Sequence, residues 1–313
     1  GFTLKKPTAH KLIEKASSLF ENLYKCIRQT ALSDPYKAAD ETYYKILVPE
    51  KNSKGKGVRK GYLWVVVGIN TRMIYLLYDD GSRSERVILN ELGSCKGIIQ
   101  SDGYSPYRKL ESDAYPNITR IPCLQHIKRK FIDCGEKDPD AKRIVELINA
   151  LYQNEHKHKV EVEGWTVEQN LMHRKKYAPD ILGEIKDVLD EIEERGDLLP
   201  KSELQEAITY LRNEWNAVVD IFNYGDTYLD NNMVERMNRY ISLSRKNSLF
   251  FGSHKGAERG AILYTIALTC RMHKVNLFEY LTDVMNRTAE WQPNTPIEKY
   301  RELLPDRWEK AND

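Results

Sequence analysis

No apolar run in the sequence approaches the ~20 residues that cross a bilayer; the longest is Tyr62 to Ile69. No charged-then-apolar leader opens the chain, so neither a membrane partner nor export is expected. Cysteine is scarce and odd in number, with residues 26, 95, 123, 134 and 270 and no CxxC pair. That excludes a disulfide framework and a zinc ribbon, and it fits a reducing cytoplasm. Glycine (17) and proline (12) are too few in 313 residues for a collagen-like or disordered chain, and there is no internal repeat or low-complexity tract. Net charge is also small, 48 Lys and Arg against 46 Asp and Glu. What is present is 41% apolar residues, in a chain long enough to bury about three quarters of its unfolded surface without staples. One or two globular domains follow.

The balance of charge hides a separation. Between Asp138 and Tyr224 there are 19 acidic and 11 basic side chains, which leaves 37 basic against 27 acidic elsewhere. An acidic helical insert beside a basic body suited to a polyanion is the reading.

Residues 8 to 32 place Leu12, Ile13, Ala16, Leu19, Phe20, Leu23 and Ile27 at helical spacing, which predicts one amphipathic helix with that face buried. After Ser33-Asp34-Pro35, β-branched and aromatic residues from Tyr36 to Val48 predict a first strand. Lys51 to Lys60 is acid-free and carries Gly55 and Gly57, the pattern of a mobile basic hairpin loop. Tyr62 to Ile69 and Met73 to Tyr78, joined by Asn70-Thr71-Arg72, predict two further strands of a meander. Gly97 to Ser101 reads as a short buried strand ending at Asp102, and Ile118 to Leu124 as a fifth strand running into a basic helix, Gln125 to Ile132.

Three strands, a crossover, a strand, a crossover and a strand is the succession of a ribonuclease H-like α/β fold, a mixed five-stranded sheet whose fourth strand pairs beside its first. From Asp138 to Tyr224 the chain reads as helix, with Ile181, Ile185, Val188, Leu189 and Ile192, then Leu204, Ile208, Leu211, Trp215, Val218 and Phe222, at helical period. A helix starting at Asp230-Asn231-Asn232 and running to about Tyr240, a basic loop, and an apolar helix from about Glu258 to His273 follow. The expected organisation is an N-terminal helical segment (1–34), a core in two parts (35–137 and 225–290), the all-helical insertion between them (138–224) and a tail (291–313).

Three carboxylates stand out by position: Asp40 in the first strand, Asp102 at the end of the fourth, and Glu235 on the helix after the insert. If the first and fourth strands are neighbours, the two Asp side chains converge at one sheet edge and a Glu from a covering helix closes the set. Three such groups are a minimum cage for two Mg²⁺ or Mn²⁺ ions, which take hard oxygen ligands and serve in-line phosphoryl displacement.

The surroundings of each acid are more specific. Ala39-Asp40-Glu41-Thr42, Gly61-Tyr62-Leu63-Trp64, Gly97-Ile98-Ile99-Gln100-Ser101-Asp102-Gly103-Tyr104 and Cys123 to Phe131 occur in order. Asp230-Asn231-Asn232-Met233-Val234-Glu235-Arg236 then continues into Ser244-Arg245-Lys246-Asn247-Ser248-Leu249-Phe250-Phe251-Gly252-Ser253. Together these resemble the insertion sequence 66 family of bacterial DDE transposases, from roughly Pro7 to Arg287. The resemblance implies a ribonuclease H-like core with Asp40, Asp102 and Glu235 as catalytic, metal-holding acids. It implies DNA strand cleavage at transposon ends and strand transfer into target DNA, a homodimer bridging two ends, and a nucleoid-associated protein. It also implies zinc-binding and helix-turn-helix elements upstream that this sequence, opening on Gly1, does not carry. A catalytically silent DNA-binding remnant and a ribonuclease H-like nuclease acting on branched DNA are the alternatives.

Arg236 to Ala257 holds Arg236, Arg239, Arg245, Lys246 and Lys255 without one acid. A duplex carries one negative charge per ~1.7 Å, so this strip is expected to hold DNA through its phosphates. Arg239, one helical turn after Glu235, is alternatively its i,i+4 partner. His126, Lys128, Arg129 and Lys130 open a helix and read either as phosphate contacts or as a surface basic helix with a packed histidine. Glu41 competes with Asp40, but adjacent strand residues face opposite sides and the resemblance favours Asp40. Asp79 and Asp80 read as turn formers, and Asp230 as a helix cap. Cys123-x₂-His126 is half a zinc pattern without a second half. His156 and His158 read as solvated, and Trp165 and Trp215 as helical core.

Overall fold

The computed structural model describes residues 4–51, 55, 57–135, 138–292 and 294–310. Its elements in chain order are α1 (Lys6–Leu19), α2 (Glu21–Ser33), β1 (Tyr36–Leu47), β2 (Val58–Gly68), β3 (Ile74–Leu77), α3 (Glu85–Leu92), β4 (Gly97–Ser101), α4 (Ser105–Arg108), β5 (Ile118–Pro122) and α5 (Leu124–Asp133). They continue as α6 (Pro139–Asn154), α7 (Lys157–Val162), α8 (Val167–Glu194), α9 (Glu203–Ile221), α10 (Asn232–Ser244), α11 (His254–Met272) and α12 (Leu277–Thr288). The strands form one mixed five-stranded sheet in the order β3-β2-β1-β4-β5, so the fourth strand does lie beside the first. Two compact units make up the chain, Gly1–Ile98 with Asn232–Asp313, and Ile99–Asn231.

The first unit is built on the antiparallel meander. β1 pairs β2 with Asp40 opposite Val65, and β2 pairs β3 with Val65 opposite Leu76. Leu63 to Val67 are all fully buried, a continuous apolar run rather than an alternating one, because helices cover both faces of the strand. The break at Ser33-Asp34-Pro35 is an organised turn. Buried Asp34 accepts the Tyr36 amide at 2.9 Å, the Asn70 side chain at 3.1 Å and the Thr71 amide at 2.7 Å, which ties the start of β1 to the β2–β3 turn. Lys37 is buried beside it, donating to the carbonyls of Asp34 and Lys96, and burial lowers its pKa. Where β4 begins, Gly97 has φ +89° and a side chain there would meet the Pro35 carbonyl oxygen at 2.2 Å. Only glycine lets Ile98 come close enough to donate to that oxygen, at 2.8 Å.

Sequence expectations need correction in this unit. The helix expected over 8–32 is two helices that break at Phe20, whose ring goes into the core. In consequence Leu12 and Ile13, expected on a buried face, are 50% and 48% exposed. Of the basic loop expected over 51–60, residues 52–54 and 56 lie outside the described residues, while Arg59 and Lys60 already belong to β2. Lys60 sits over the rings of Tyr43 (4.4 Å) and Tyr62 (5.2 Å), a strand residue stabilised by its aromatic neighbours.

The second unit joins the end of β4, β5 and the helices α4 to α9. The residues between 138 and 224 do form helices, α6 to α9, and Ile185, Val188, Leu189, Ile192, Ile208, Leu211 and Val218 are buried as their period predicts. α8 starts on a capping box, Thr166 with Gln169. Fully buried Arg174 holds the segment after α9 by donating to the carbonyls of Ile221, Tyr224 and Thr227, with Glu155 as its counter-ion at 2.9 Å. His156 is not solvated as expected. It is half-buried, stacked on Trp165 and 4.2 Å from the ring of His173, and only His158 is exposed.

Candidate functional site

In the first unit α10 lies against β1 through Val234, Met237 and Ile241, an i, i+3, i+7 stripe. Glu235 and Asn238, one turn apart, flank that stripe and are half-buried. The Asn238 amide donates to Asp40 Oδ2 at 2.5 Å, and the Glu41 amide donates to Oδ1 at 2.8 Å. Glu41 itself takes the guanidinium of Arg83, Nε at 2.9 Å, with its carboxylate only 6% exposed. The two adjacent acids therefore part as strand geometry requires, Asp40 to α10 and Glu41 to Arg83.

The acid-free strip begins on α10 and turns back along β1. Arg245 donates to the Tyr43 carbonyl and stacks 4.2 Å from its ring. Tyr44 hydroxyl donates to the Ser248 carbonyl at 2.5 Å, the Phe251 amide to Lys45 O at 2.8 Å, and the Leu47 amide to Phe251 O at 2.8 Å. The second half of β1 thus gains a short parallel partner at Phe251. Arg236, Arg239, Lys246 and Lys255 remain exposed along this path. Among the described residues Arg239 forms no ion pair, so its reading as the i,i+4 partner of Glu235 is not met. Asp79 pairs with Arg86 at 3.1 Å and Asp80 occupies a positive-φ turn position, as turn formers do.

In the second unit Asp102 follows β4 directly. Its Oδ1 accepts the Tyr104 amide at 3.1 Å, and its carbonyl accepts Arg120 at 2.7 Å. Arg120 also donates to Ser101 Oγ at 3.0 Å and is fully buried between Glu214 and Glu111, each at 2.5 Å. The Gly103 amide donates to the Tyr210 hydroxyl at 2.8 Å. Burial, then the charges of Glu214 and Asp102, push the Tyr210 phenol well above its ordinary range, so it stays a hydroxyl.

His126 is half-buried on the first turn of α5. Lys128 lies over the Tyr152 ring (5.8 Å) and Lys130 over Tyr210 (5.7 Å), while Arg129 is exposed. The start of α5 is engaged from within, since the Leu124 amide donates to Leu229 O at 2.9 Å and the Cys123 thiol accepts the Asn231 amide at 3.2 Å. Cys123 itself is buried. Asn238, Arg120, Tyr210 and Glu214 were not singled out from the sequence. Asn238 had a signal, sitting three residues after Glu235 on the same helix face; the other three had none, for their partners are up to 107 residues away.

An α/β protein with one acid within its first strand, another just after its fourth, and a cationic strip laid on the first strand is the class that fold and site define. The chain belongs to the Transposase IS66 family, which matches residues 1–259. It is 30% identical over 234 residues to the uncharacterized protein y4jD of Sinorhizobium fredii, covering 72% of this chain and 44% of that protein. A second Sinorhizobium fredii protein, y4qI, also uncharacterized, is 29% identical over 275 residues, 83% of this chain and 49% of its own. The chain thus spans about half the length of the curated relatives it matches. A solved structure, the Drosophila P element transposase strand transfer complex, matches with a TM-score of 0.37 and 15% identity over 77% of this chain and 79% of that one, a likeness too distant to bear on fold or chemistry. Among the described residues no helix is long and apolar enough to cross a membrane.

Proposed function

We propose that this chain is the ribonuclease H-like catalytic core of a DDE transposase, which cleaves DNA strands at transposon ends and transfers them into target DNA. In the first step water attacks the end phosphodiester and releases a 3′-hydroxyl on the element. In the second, that hydroxyl attacks a target phosphodiester and displaces a target 3′-hydroxyl, forming one bond and breaking one. Asp40, Asp102 and Glu235 are the proposed catalytic acids, with α6 to α9 as the insertion between the second and third.

The donor set suits two Mg²⁺ or Mn²⁺ ions, because each group offers hard carboxylate oxygens. When bound, such ions stabilise charge on the attacking and leaving oxygens. The chain's own part is to aim and to hold. Asn238 fixes one oxygen of Asp40 and thereby sets the roll of α10, which carries Glu235. Arg236, Arg239, Arg245, Lys246 and Lys255, with His126, Lys128, Arg129 and Lys130, grip phosphates of double-stranded DNA. A homodimer bridging two ends is part of the proposal.

The observation that carries this reading is the Asn238–Asp40 hydrogen bond in a chain of the IS66 family. It couples the strand of the first acid to the helix of the third. The test is incubation with end-labelled DNA bearing candidate terminal repeats and Mg²⁺, beside Asp40→Ala, Asp102→Ala and Glu235→Gln. Wild-type cleavage and joined products, lost by at least about a hundredfold in each variant, are expected. Tight binding without any cleavage would instead identify a silent remnant, and cleavage without joined products a plain nuclease.

A further inference from the structure

The helical segment between residues 138 and 224 has so far no duty, yet one of its helices reaches the residues around Asp102. Tyr210 and Glu214 stand four apart on α9 and therefore share a face. Tyr210 receives the Gly103 amide at 2.8 Å, and a side chain at position 103 would meet its hydroxyl oxygen at 2.6 Å, so the contact requires glycine there. Glu214 and Glu111 hold Arg120, which also donates to Ser101 Oγ at 3.0 Å and to the Asp102 carbonyl at 2.7 Å. Three consecutive residues, 101, 102 and 103, are thus each tied to α9, directly or through one guanidinium.

A buried Arg–Glu pair is an expensive way to gain stability, since apolar side chains of the same volume do as well or better. What the pair provides that apolar packing does not is direction. A guanidinium is a rigid planar fork, and this one sets the hydroxyl of Ser101 and the carbonyl of Asp102 at fixed angles. The Asp102 side chain is already turned back onto the Tyr104 amide, so fixing its backbone fixes the carboxylate.

We infer that Arg120, Glu214 and Tyr210 are positioning residues for Asp102, and that α9 serves to aim that carboxylate. The inference rests on the proposed role of Asp102 as an ion-holding acid. None of the three touches the reacting atoms.

The test uses Tyr210→Phe, which removes one acceptor and keeps the ring, with Arg120→Lys as the more severe change, Asp102→Ala as reference and Thr265→Val, in the other unit, as a control for lost stability. Mn²⁺ binding to the protein without DNA, followed by the electron paramagnetic resonance of the free ion, and the Mg²⁺ concentration at half-maximal cleavage are both read. Tyr210→Phe is expected to weaken Mn²⁺ binding and raise the Mg²⁺ requirement by about tenfold, the scale of losing an outer support of a metal ligand, with DNA affinity unchanged. Thr265→Val lowers the melting temperature and moves neither. If Tyr210→Phe changes the melting temperature but leaves Mn²⁺ binding and Mg²⁺ requirement within twofold of wild type, the positioning role is overturned, whether or not Arg120→Lys folds. If Asp102→Ala itself leaves Mn²⁺ binding and cleavage intact, the assignment of Asp102 falls first and the positioning role with it.

Discussion

Asp40 and Glu41 are neighbours in sequence with different fates, because the pleat sends one to α10 and the other to Arg83. Glu41→Gln should therefore leave cleavage at the wild-type level and cost about 1–3 kcal/mol in a urea titration, since its carboxylate is 6% exposed and loses charge-assisted hydrogen bonds to Arg83. Asn238→Ala should reduce cleavage, because it frees the Asp40 carboxylate to rotate. Another residue contributes to the response to acid. Burial of His273 lowers its pKa, so in the folded state it resists a proton that the unfolded chain accepts. Its contribution is present above about pH 6.5 and is lost as the pH falls toward the folded-state value. Chemical denaturation between about pH 7.5 and about pH 5, a range that brackets the ordinary histidine pKa, should show a smaller loss of stability for His273→Gln than for wild type.

At the scale of elements, the edge of the sheet is the informative place. β3 has β2 on one side only, and an open edge of fully buried residues would leave amides without acceptors. α11 meets this with two threonines one turn apart. Thr269 accepts the Ile74 amide at 3.2 Å and donates to Ile74 O at 3.0 Å, and Thr265 accepts the Leu76 amide at 3.0 Å. Thr265→Val and Thr269→Val keep the shape but strand a buried amide, so each should cost about 1–3 kcal/mol by urea denaturation. A helix was legible over 258–273 from its apolar residues. The two threonines carry no local signal, for nothing near them in sequence says that a strand nearly 200 residues earlier needs them. Likewise the period from Leu12 to Ile27 is genuinely helical, but periodicity does not register the inward turn of Phe20 that divides it.

For the whole molecule the decisive quantity is the distribution of charge. The acid-free path from Arg236 to Ala257 is largely exposed, and if it grips DNA, binding should weaken steeply with salt. Replacing Lys246 and Lys255 by Gln, one at a time, should each reduce the slope of log affinity against log salt by about 1, without changing preference among sequences. Filter binding at several salt concentrations measures this. Element order, the β4-beside-β1 topology, the helical nature of residues 138–224 and the family were legible in the chain itself. Local side-chain periods and contiguous motifs carry that information, and neither needs the fold to be read. What each of two adjacent acids pairs with, what buries a charged arginine, and which helix braces the turn at Asp102 were decided by tertiary structure alone. Those are contacts between groups far apart in sequence, and a single chain holds no record of them until burial makes an unpaired charge or amide costly enough to demand its partner.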